Sequence, residues 1–362
     1  MSLTRLLVTN LRNLTSVDLQ PSADVNLIFG KNGSGKTSIL ESIHVLSLGR
    51  SFRSHKIKAL INEHQPEMTV FGRIKEGADD IPVGVSRSRT DGSSFKVRGQ
   101  AVGSLAELAG VLPLQVINAD AFLLLEGSPK VRRQFLDWLV FHVEPGFFAT
   151  WKVAQRCLKQ RNTILRRGRI EGSELKVWDR ELILATDRMT QMRVNAFSVF
   201  SDVFRQLVDE FVIADGLTLG LYRGWEKNKN YTEVLADTLE RDVRLGFTGA
   251  GVHRCDIRIR IKGHAAAEVL SRGQQKLLVC AMKITQGVVF AQLTGRRCVY
   301  LVDDLPAELD TEHRQLLVDW LDRLATQVFI TGVEKQALVQ PWQGKPGREI
   351  KLFHVEHGEI LK

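Results

Sequence analysis

The chain has 362 residues, 44% apolar and 25% charged, a composition that excludes collagen, a disordered chain and a disulfide scaffold, and a length that suggests about two domains. Lysine and arginine outnumber aspartate and glutamate by 50 to 41, giving a formal charge of +9 and an isoelectric point near 9.5, which favours a polyanionic partner, either nucleic acid or an anionic membrane. No stretch approaches the roughly 18 consecutive apolar residues of a spanning helix, and Arg5 and Arg12 interrupt the N-terminus too early for a signal peptide, so the expected location is the cytoplasm.

In chain order, short strands are expected at Leu3 to Val8, Val17 to Leu19 and Val25 to Phe29, the last running into Gly30. Apolar residues at Ile39, Leu40, Ile43, Leu46 and Leu48 then have helical spacing, and the helix should stop at Gly49. Alternation over 68–98, around Thr90-Asp91-Gly92-Ser93, predicts a hairpin with Val83, Val85, Phe95 and Val97 inward. After Asn118 the character changes to long helical patterns at Arg132 to Phe141, Phe148 to Arg167 and Leu175 to Ile213. Strand patterning resumes at 256–262, followed by a helix over 273–293, an apolar strand at 298–302, a helix over 311–324 and a strand at 327–330. An α/β domain of 1–118 and 246–362, interrupted by an all-helical arm at 119–245, is the expected organisation. Cys157, Cys255, Cys280 and Cys298 form no C-x-x-C pair and no zinc-ligand spacing, and read as buried thiols.

Gly30-Lys31-Asn32-Gly33-Ser34-Gly35-Lys36-Thr37 fits the phosphate-binding loop G-x-x-x-x-G-K-[ST]. The glycines let successive backbone N–H groups point at a phosphate, Lys36 reaches the β and γ oxygens of ATP, Thr37 can ligate Mg²⁺, and Ser38 opens the helix whose positive end faces the anion. The loop needs an acidic partner at the end of a buried strand, and Asp303 and Asp304 supply it, the first for the metal and the second as a group that could polarise the attacking water. Lys36 and Asp303 are 267 residues apart, which makes a simple small GTPase a poor fit. Ser271-Arg272-Gly273-Gln274 opens another helix, with Ser271 as N-cap and Gly273 allowing close backbone approach, so this helix start too is built to receive an anion.

These residues, with Val8 to Asn13, Gly49 to Arg53, Gly127 to Asp137 and Glu308-Leu309-Asp310, resemble the RecF family, an SMC-type branch of the cassette ATPases, over nearly the whole length. The resemblance implies a P-loop cassette-type ATPase head of mixed sheets with flanking helices. It implies that Ser271, Gly273 and Gln274 form the signature that contacts nucleotide held by a second subunit, giving an ATP-dependent homodimer, and that Arg12 joins the nucleotide site. It further implies weak, DNA-stimulated ATP hydrolysis used as a switch. The setting it implies is recombinational repair, replication restart and the SOS response, at gaps where single strand meets duplex, with RecR and RecO as partners and RecA loaded indirectly. Family members carry G-P-H where this chain has Gly251-Val252-His253, and most cassette ATPases carry Glu and His where this chain has Asp304 and Thr331, so hydrolysis is expected to be slow. Either Gln115 or Asn118 could serve as the Q-loop.

Seven basic residues and no acidic one fall within 151–170: Lys152, Arg156, Lys159, Arg161, Arg166, Arg167 and Arg169. Lys152, Arg156 and Lys159 share a helix face and could track phosphates. Arg50, Arg53, His55, Lys56 and Lys58 form a second cluster, and Arg254, Arg258, Arg260 and Lys262 a third at period two, with Asp256 among them. With the expected boundaries, +7 of the +9 falls on the head, which makes the head the expected main DNA surface. The basic residues are not interleaved with aromatics, so backbone contacts are expected. Two rivals remain. A transport-type cassette ATPase subunit should lack so long a helical insert, and an SMC-like tether with a vestigial site should not keep Lys36, Thr37 and Asp303.

Overall fold

The computed structural model describes residues 1–54, 56–167, 172–211 and 213–361, so the expectations placed on His55 and Arg169 lie outside the described residues. The chain divides into two compact units, 1–121 with 282–362, and 122–281.

The first unit holds two six-stranded sheets. One has strand order β2-β1-β4-β5-β6-β7, with β1 Ser2–Leu11, β2 Leu14–Leu19, β4 Glu67–Glu76, β5 Asp79–Ser88, β6 Ser93–Val97 and β7 Gln100–Ala101. Its neighbouring strands are all antiparallel, and alternation buries Leu3, Leu6, Val8, Val83 and Val85 on one face. The expected hairpin is present as part of a longer meander, since a further turn at Gly77 joins β4 to β5.

The other sheet runs β15-β14-β3-β13-β12-β8, with β3 Val25–Phe29, β8 Leu114–Ile117, β12 Val299–Val302, β13 Val328–Gly332, β14 Ile350–Glu356 and β15 Glu359–Leu361. Strands β8, β12, β13, β3 and β14 are parallel. Helix Lys36–Leu48 contributes Ile39, Leu40, Ile43, Val45 and Leu46 to a core shared with both sheets. Gly49, at φ +64°, ends that helix as expected. The carboxyl ends of the parallel strands form one rim, where a doubly wound sheet presents its ligand site.

The second unit is mostly helical. Helix Pro129–Val143 precedes an antiparallel pair, Phe147–Arg166 and the 37-residue Gly172–Val208, about 55 Å long at 1.5 Å per residue. Phe135, Phe200 and Phe204 are buried with Leu182 and Met189. The arm is not all-helical: β9 Leu217–Tyr222 pairs antiparallel with β10 Asp256–Ile261, which carries β11 His264–Ala265 on its other side. That pairing explains why residues 246–281 group with the inserted unit instead of rejoining the head at 246. The charge distribution changes with the boundary. The second unit holds 26 Lys and Arg against 19 Asp and Glu, and the first 24 against 22, so most of the excess leaves the head.

All four cysteines are buried, and none is joined in a disulfide. Helix Arg272–Thr294 is long and apolar enough to cross a membrane by length and composition alone, and 67% of its apolar window is buried, as in a core helix.

Candidate nucleotide-binding site

Strand β3 is buried along most of its length and delivers the chain into Gly30. Gly30 has φ +152°, and a Cβ there would stand 2.2 Å from the Val355 carbonyl oxygen, so only glycine fits. Helix Lys36–Leu48 starts with no acidic residue in its first turn and no side-chain cap, leaving its N-terminal N–H groups for a ligand. Asn13 braces the loop: its Nδ2 donates to the Gly33 carbonyl at 3.1 Å, and its Oδ1 accepts from Ser38 Oγ at 2.8 Å. Lys36 Nζ donates to the carbonyls of Gly30 and Lys31 at 2.8 and 3.0 Å. Burial lowers the pKa of this ammonium, with Asp304 and Asp303 pulling the other way. Ser34 Oγ is buried with no hydrogen-bond partner among the described residues, an unmet polar atom in the middle of an anion cradle. Lys31, Asn32 and Gly33 are exposed, and Asn32, Gly33, Gly35, Lys36, Thr37 and Ser38 line a cleft of about 830 Å³ built wholly within the first unit.

Asp303 leaves the carboxyl end of β12, beside β8 and β13. Its Oδ1 accepts from Thr37 Oγ1 at 2.9 Å and from Thr331 Oγ1 at 2.8 Å. Burial raises the Asp303 pKa, and the two hydroxyls oppose it. Thr331 Oγ1 also accepts from the Asp304 N–H at 2.7 Å, which holds Asp304 in the left-handed region at φ +51°. Thr37 and Asp303 are hard oxygen donors meeting at the end of the phosphate loop. Mg²⁺ usually takes one or two protein oxygens and keeps waters and substrate phosphates, so this pair fits it. No group of three or more His, Cys, Asp or Glu that could hold a metal ion occurs among the described residues.

Glu41 is the functional residue that motif reading missed. It is fully buried in the loop helix and accepts both Arg12 Nε and Nη2 at 2.9 Å, while Ser51 Oγ donates to it and Arg53 stands 3.9 Å away. Arg12, expected at the nucleotide, therefore reaches the cleft wall already held by a carboxylate. The available signal was a carboxylate on the otherwise buried helix directly after the phosphate loop. Arg53 and Lys58, expected to face DNA, also line this cleft, while Arg50 and Lys56 are exposed. Of the two Q-loop candidates, Gln115 is buried, donating to Gln286 Oε1 at 2.7 Å and accepting from Lys283 Nζ at 3.2 Å. Asn118 instead follows Ile117, whose carbonyl accepts from the Asp303 N–H at 2.9 Å, so it stands at the metal end.

In the second unit, Ser271 Oγ accepts from the Gln274 N–H at 3.3 Å and Gln274 Oε1 accepts from the Ser271 N–H at 3.0 Å, a reciprocal capping box. Gln274 Nε2 donates to the Ile213 carbonyl at 2.9 Å, so its side chain is committed to a tertiary contact within the unit. Ser271, Arg272 and Gly273 are exposed, with Arg272 paired to Glu126. Asp310, from the Glu308-Leu309-Asp310 segment that carries part of the resemblance, caps helix Thr311–Arg323 in the first unit.

The basic clusters separate. Lys152, Arg156 and Lys159 are exposed along one helix, with the Lys152 ammonium 4.9 Å from the Phe148 ring centroid. Arg161, read with them from sequence, is fully buried between Asp179 at 2.7 Å and Asp242 at 2.8 Å. Arg258 and Arg260 are exposed on β10, whereas Arg254 lies in the preceding turn Val252–Arg254 and Lys262 in the following one. Asp256 is neutralised by Arg132 at 2.7 Å. The Gly127 to Asp137 segment is a bracket: Arg132 also holds the Gly127 carbonyl, Arg133 the Cys255 carbonyl, and Asp137 pairs with Arg193. Val252, which replaces the family proline, is buried and its carbonyl accepts from Arg193 at 2.7 Å.

A P-loop at the carboxyl edge of a largely parallel sheet, an acidic partner on β12 two strands away and a second, antiparallel sheet define the head of a cassette-type ATPase. The RecF/RecN/SMC N terminal domain family matches residues 2–357, and the chain belongs to it, within its RecF branch. A Cellvibrio japonicus protein named DNA replication and repair protein RecF is 60% identical over 361 residues, 99% of each chain. The Pseudomonas syringae pv. syringae protein of the same name is 49% identical over 365 residues, covering 100% of this chain and 98% of that one. Among solved structures, the recombination mediator protein RecF with ATP, of the RecFOR pathway, superposes with a TM-score of 0.85 at 23% identity, covering 100% of this chain and 97% of that one. An Smc head bound to the C-winged helix domain of ScpA gives 0.59 at 15% identity, with 100% and 97% covered.

Proposed function

We propose that this chain is an ATP-dependent DNA clamp of recombinational repair and replication restart. The convergence of Thr37 and Thr331 on Asp303, at the mouth of a phosphate loop with its lysine intact, carries the reading. The loop N–H groups, Ser34 Oγ and Lys36 bind the phosphates of ATP, and Thr37 with Asp303 would hold Mg²⁺, which when bound neutralises charge on the β and γ phosphates. Arg12, oriented by Glu41, adds positive charge to the cleft wall. Ser271 and Gly273, exposed at a capped helix start, are suited to nucleotide held by a second copy, so two ATP molecules would join two chains with C2 symmetry.

Hydrolysis is slow on this reading. The Thr331 hydroxyl, at the place where a histidine would order the γ-phosphate, is already committed to Asp303 and Asp304. Asp304 is the candidate base that polarises water, and DNA stimulates turnover by stabilising the closed dimer. ATP closes the clamp and its loss releases DNA. The DNA site is a junction of single strand and duplex at a gap, the partners are RecR and RecO with RecA loaded indirectly during the SOS response, and the setting is cytoplasmic without membrane attachment. Because the second unit carries most of the positive excess, Lys152, Arg156 and Lys159 join Arg50 and Lys56 as phosphate contacts. Binding of a labelled gapped duplex with ADP and with ATP tests this: ATP should tighten it in the wild type and leave Lys36→Met unchanged. Equal binding in both nucleotides would remove the clamp.

A further inference from the structure

We propose that the outer edge of β9 is a docking site for an extended, acidic peptide segment of a partner protein, which adds to the three-stranded sheet as a fourth strand. The strand order β11-β10-β9 leaves β9 at an edge, and no hydrogen bond from another element reaches the Leu217–Tyr222 backbone on its outer side among the described residues. An edge of this kind offers unpaired N–H and C=O groups to a passing strand. Beside it runs a groove of about 820 Å³ with Phe197, Leu221, Tyr222 and Trp225 in its walls. Leu221 and Tyr222 are consecutive and point to opposite faces of the sheet, so a groove lined by both turns around the strand edge at the carboxyl end of β9. A Cβ built on Gly220 would meet nothing within 4 Å, so the sheet face is open at that position.

Charge selects the occupant. The two carboxylates on the rim are already satisfied, Asp202 by Arg205 at 3.3 Å and Glu226 by Lys229 at 3.4 Å. Arg223, Lys227 and Arg258 line the groove with no carboxylate in ion-pair range among the described residues. Arg258 lies over the Tyr222 ring at 4.4 Å and Arg223 near the Trp225 ring at 5.5 Å, so both guanidinium groups are held in place by aromatic faces. Prearranged guanidinium groups favour carboxylates bidentately. An extended segment alternating acidic and apolar residues satisfies the backbone edge, the apolar walls and the cations together.

The site is independent of ATP, so it is tested on full-length Lys36→Met protein without nucleotide. The probes are fluorescein-labelled heptapeptides alternating Glu with Val, the same peptide with Lys for Glu, and the Glu peptide N-methylated at alternate amides, read by anisotropy. The acidic peptide should bind, and the other two should bind at least about tenfold more weakly, as should the acidic peptide to Arg258→Ala and Arg223→Glu proteins that keep the wild-type melting temperature. No binding of the acidic peptide, or equal binding of all three, overturns the proposal. So does nucleotide-independent doubling of mass that blocks the peptide, which would make a second copy the occupant, or an oligonucleotide that crosslinks at Tyr222 while the peptide fails to bind.

Discussion

Replacing Thr331 with valine removes one hydroxyl and keeps the shape of the side chain. Thr331 is fully buried, and its Oγ1 donates to Asp303 at 2.8 Å while accepting from the Asp304 N–H at 2.7 Å. A hydrogen bond to a charged group contributes about 1.5–3 kcal/mol, and a buried N–H without an acceptor costs about 1–3 kcal/mol. Asp303 and Asp304 are only partly buried and water can substitute in part, so the lower ends apply, about 2.5 kcal/mol together. In a unit of about 200 residues that loss lowers the melting temperature by roughly 5–10 °C. The deficit has a defined pH dependence. Losing the hydroxyl raises the Asp303 pKa further above its unfolded value, so the folded state is penalised once the carboxyl ionises. The penalty is absent below both pKa values, grows as pH rises through the carboxylate range, and is full above the folded pKa. Urea unfolding of Thr331→Val and Thr331→Ser across that range checks it, with the serine variant near wild type. A valine variant within about 0.5 kcal/mol of wild type, or a deficit that ignores pH, would refute the reasoning.

Three further outcomes follow from buried groups. Gly30→Ala should destabilise by more than about 3 kcal/mol and abolish ATP binding, because its Cβ would meet a main-chain oxygen at 2.2 Å; a folded, ATP-binding variant by calorimetry would contradict this. Arg161→Ala should cost about 3–5 kcal/mol in unfolding of the second unit by leaving fully buried Asp242 unpaired, and a variant that unfolds like wild type but loses DNA binding would return Arg161 to the phosphate-tracking surface. Burial lowers the His44 pKa to about 4 from 6.5, so its contribution to stability is complete above the unfolded value and is lost as pH falls toward the folded one, about 3 kcal/mol in all. His44→Gln should flatten that part of the stability profile in urea titrations, and an unchanged slope would show that other groups set it.

The phosphate loop, Asp303 and the loop helix were legible in the sequence because each obeys a local rule: glycine spacing, a wholly apolar strand ending in aspartate, and 3.6-residue periodicity. Glu41 was not, because its partner Arg12 is 29 residues away and only the fold shows that an acidic residue on a buried helix is satisfied. Arg161 failed for the converse reason. Its sequence neighbours are surface cations, and its own partners Asp179 and Asp242 come from two other helices. Strand β9 was missed because it is short and follows a long helical pattern, and missing it misplaced the boundary at 246 and with it the positive charge. Ser271 was read correctly as an N-cap from local chemistry, while the commitment of Gln274 to the Ile213 carbonyl is tertiary.

The clamp is tested most directly by the mass of the protein on a gapped duplex, measured by light scattering with ADP, with ATP, and with ATP for Lys36→Met and Ser271→Arg. The predicted result is a dimer on DNA with ATP only in the wild type, and monomers in the other three cases. A wild-type protein that stays monomeric with ATP, or a Ser271→Arg variant that dimerises on DNA as well as wild type, would contradict it.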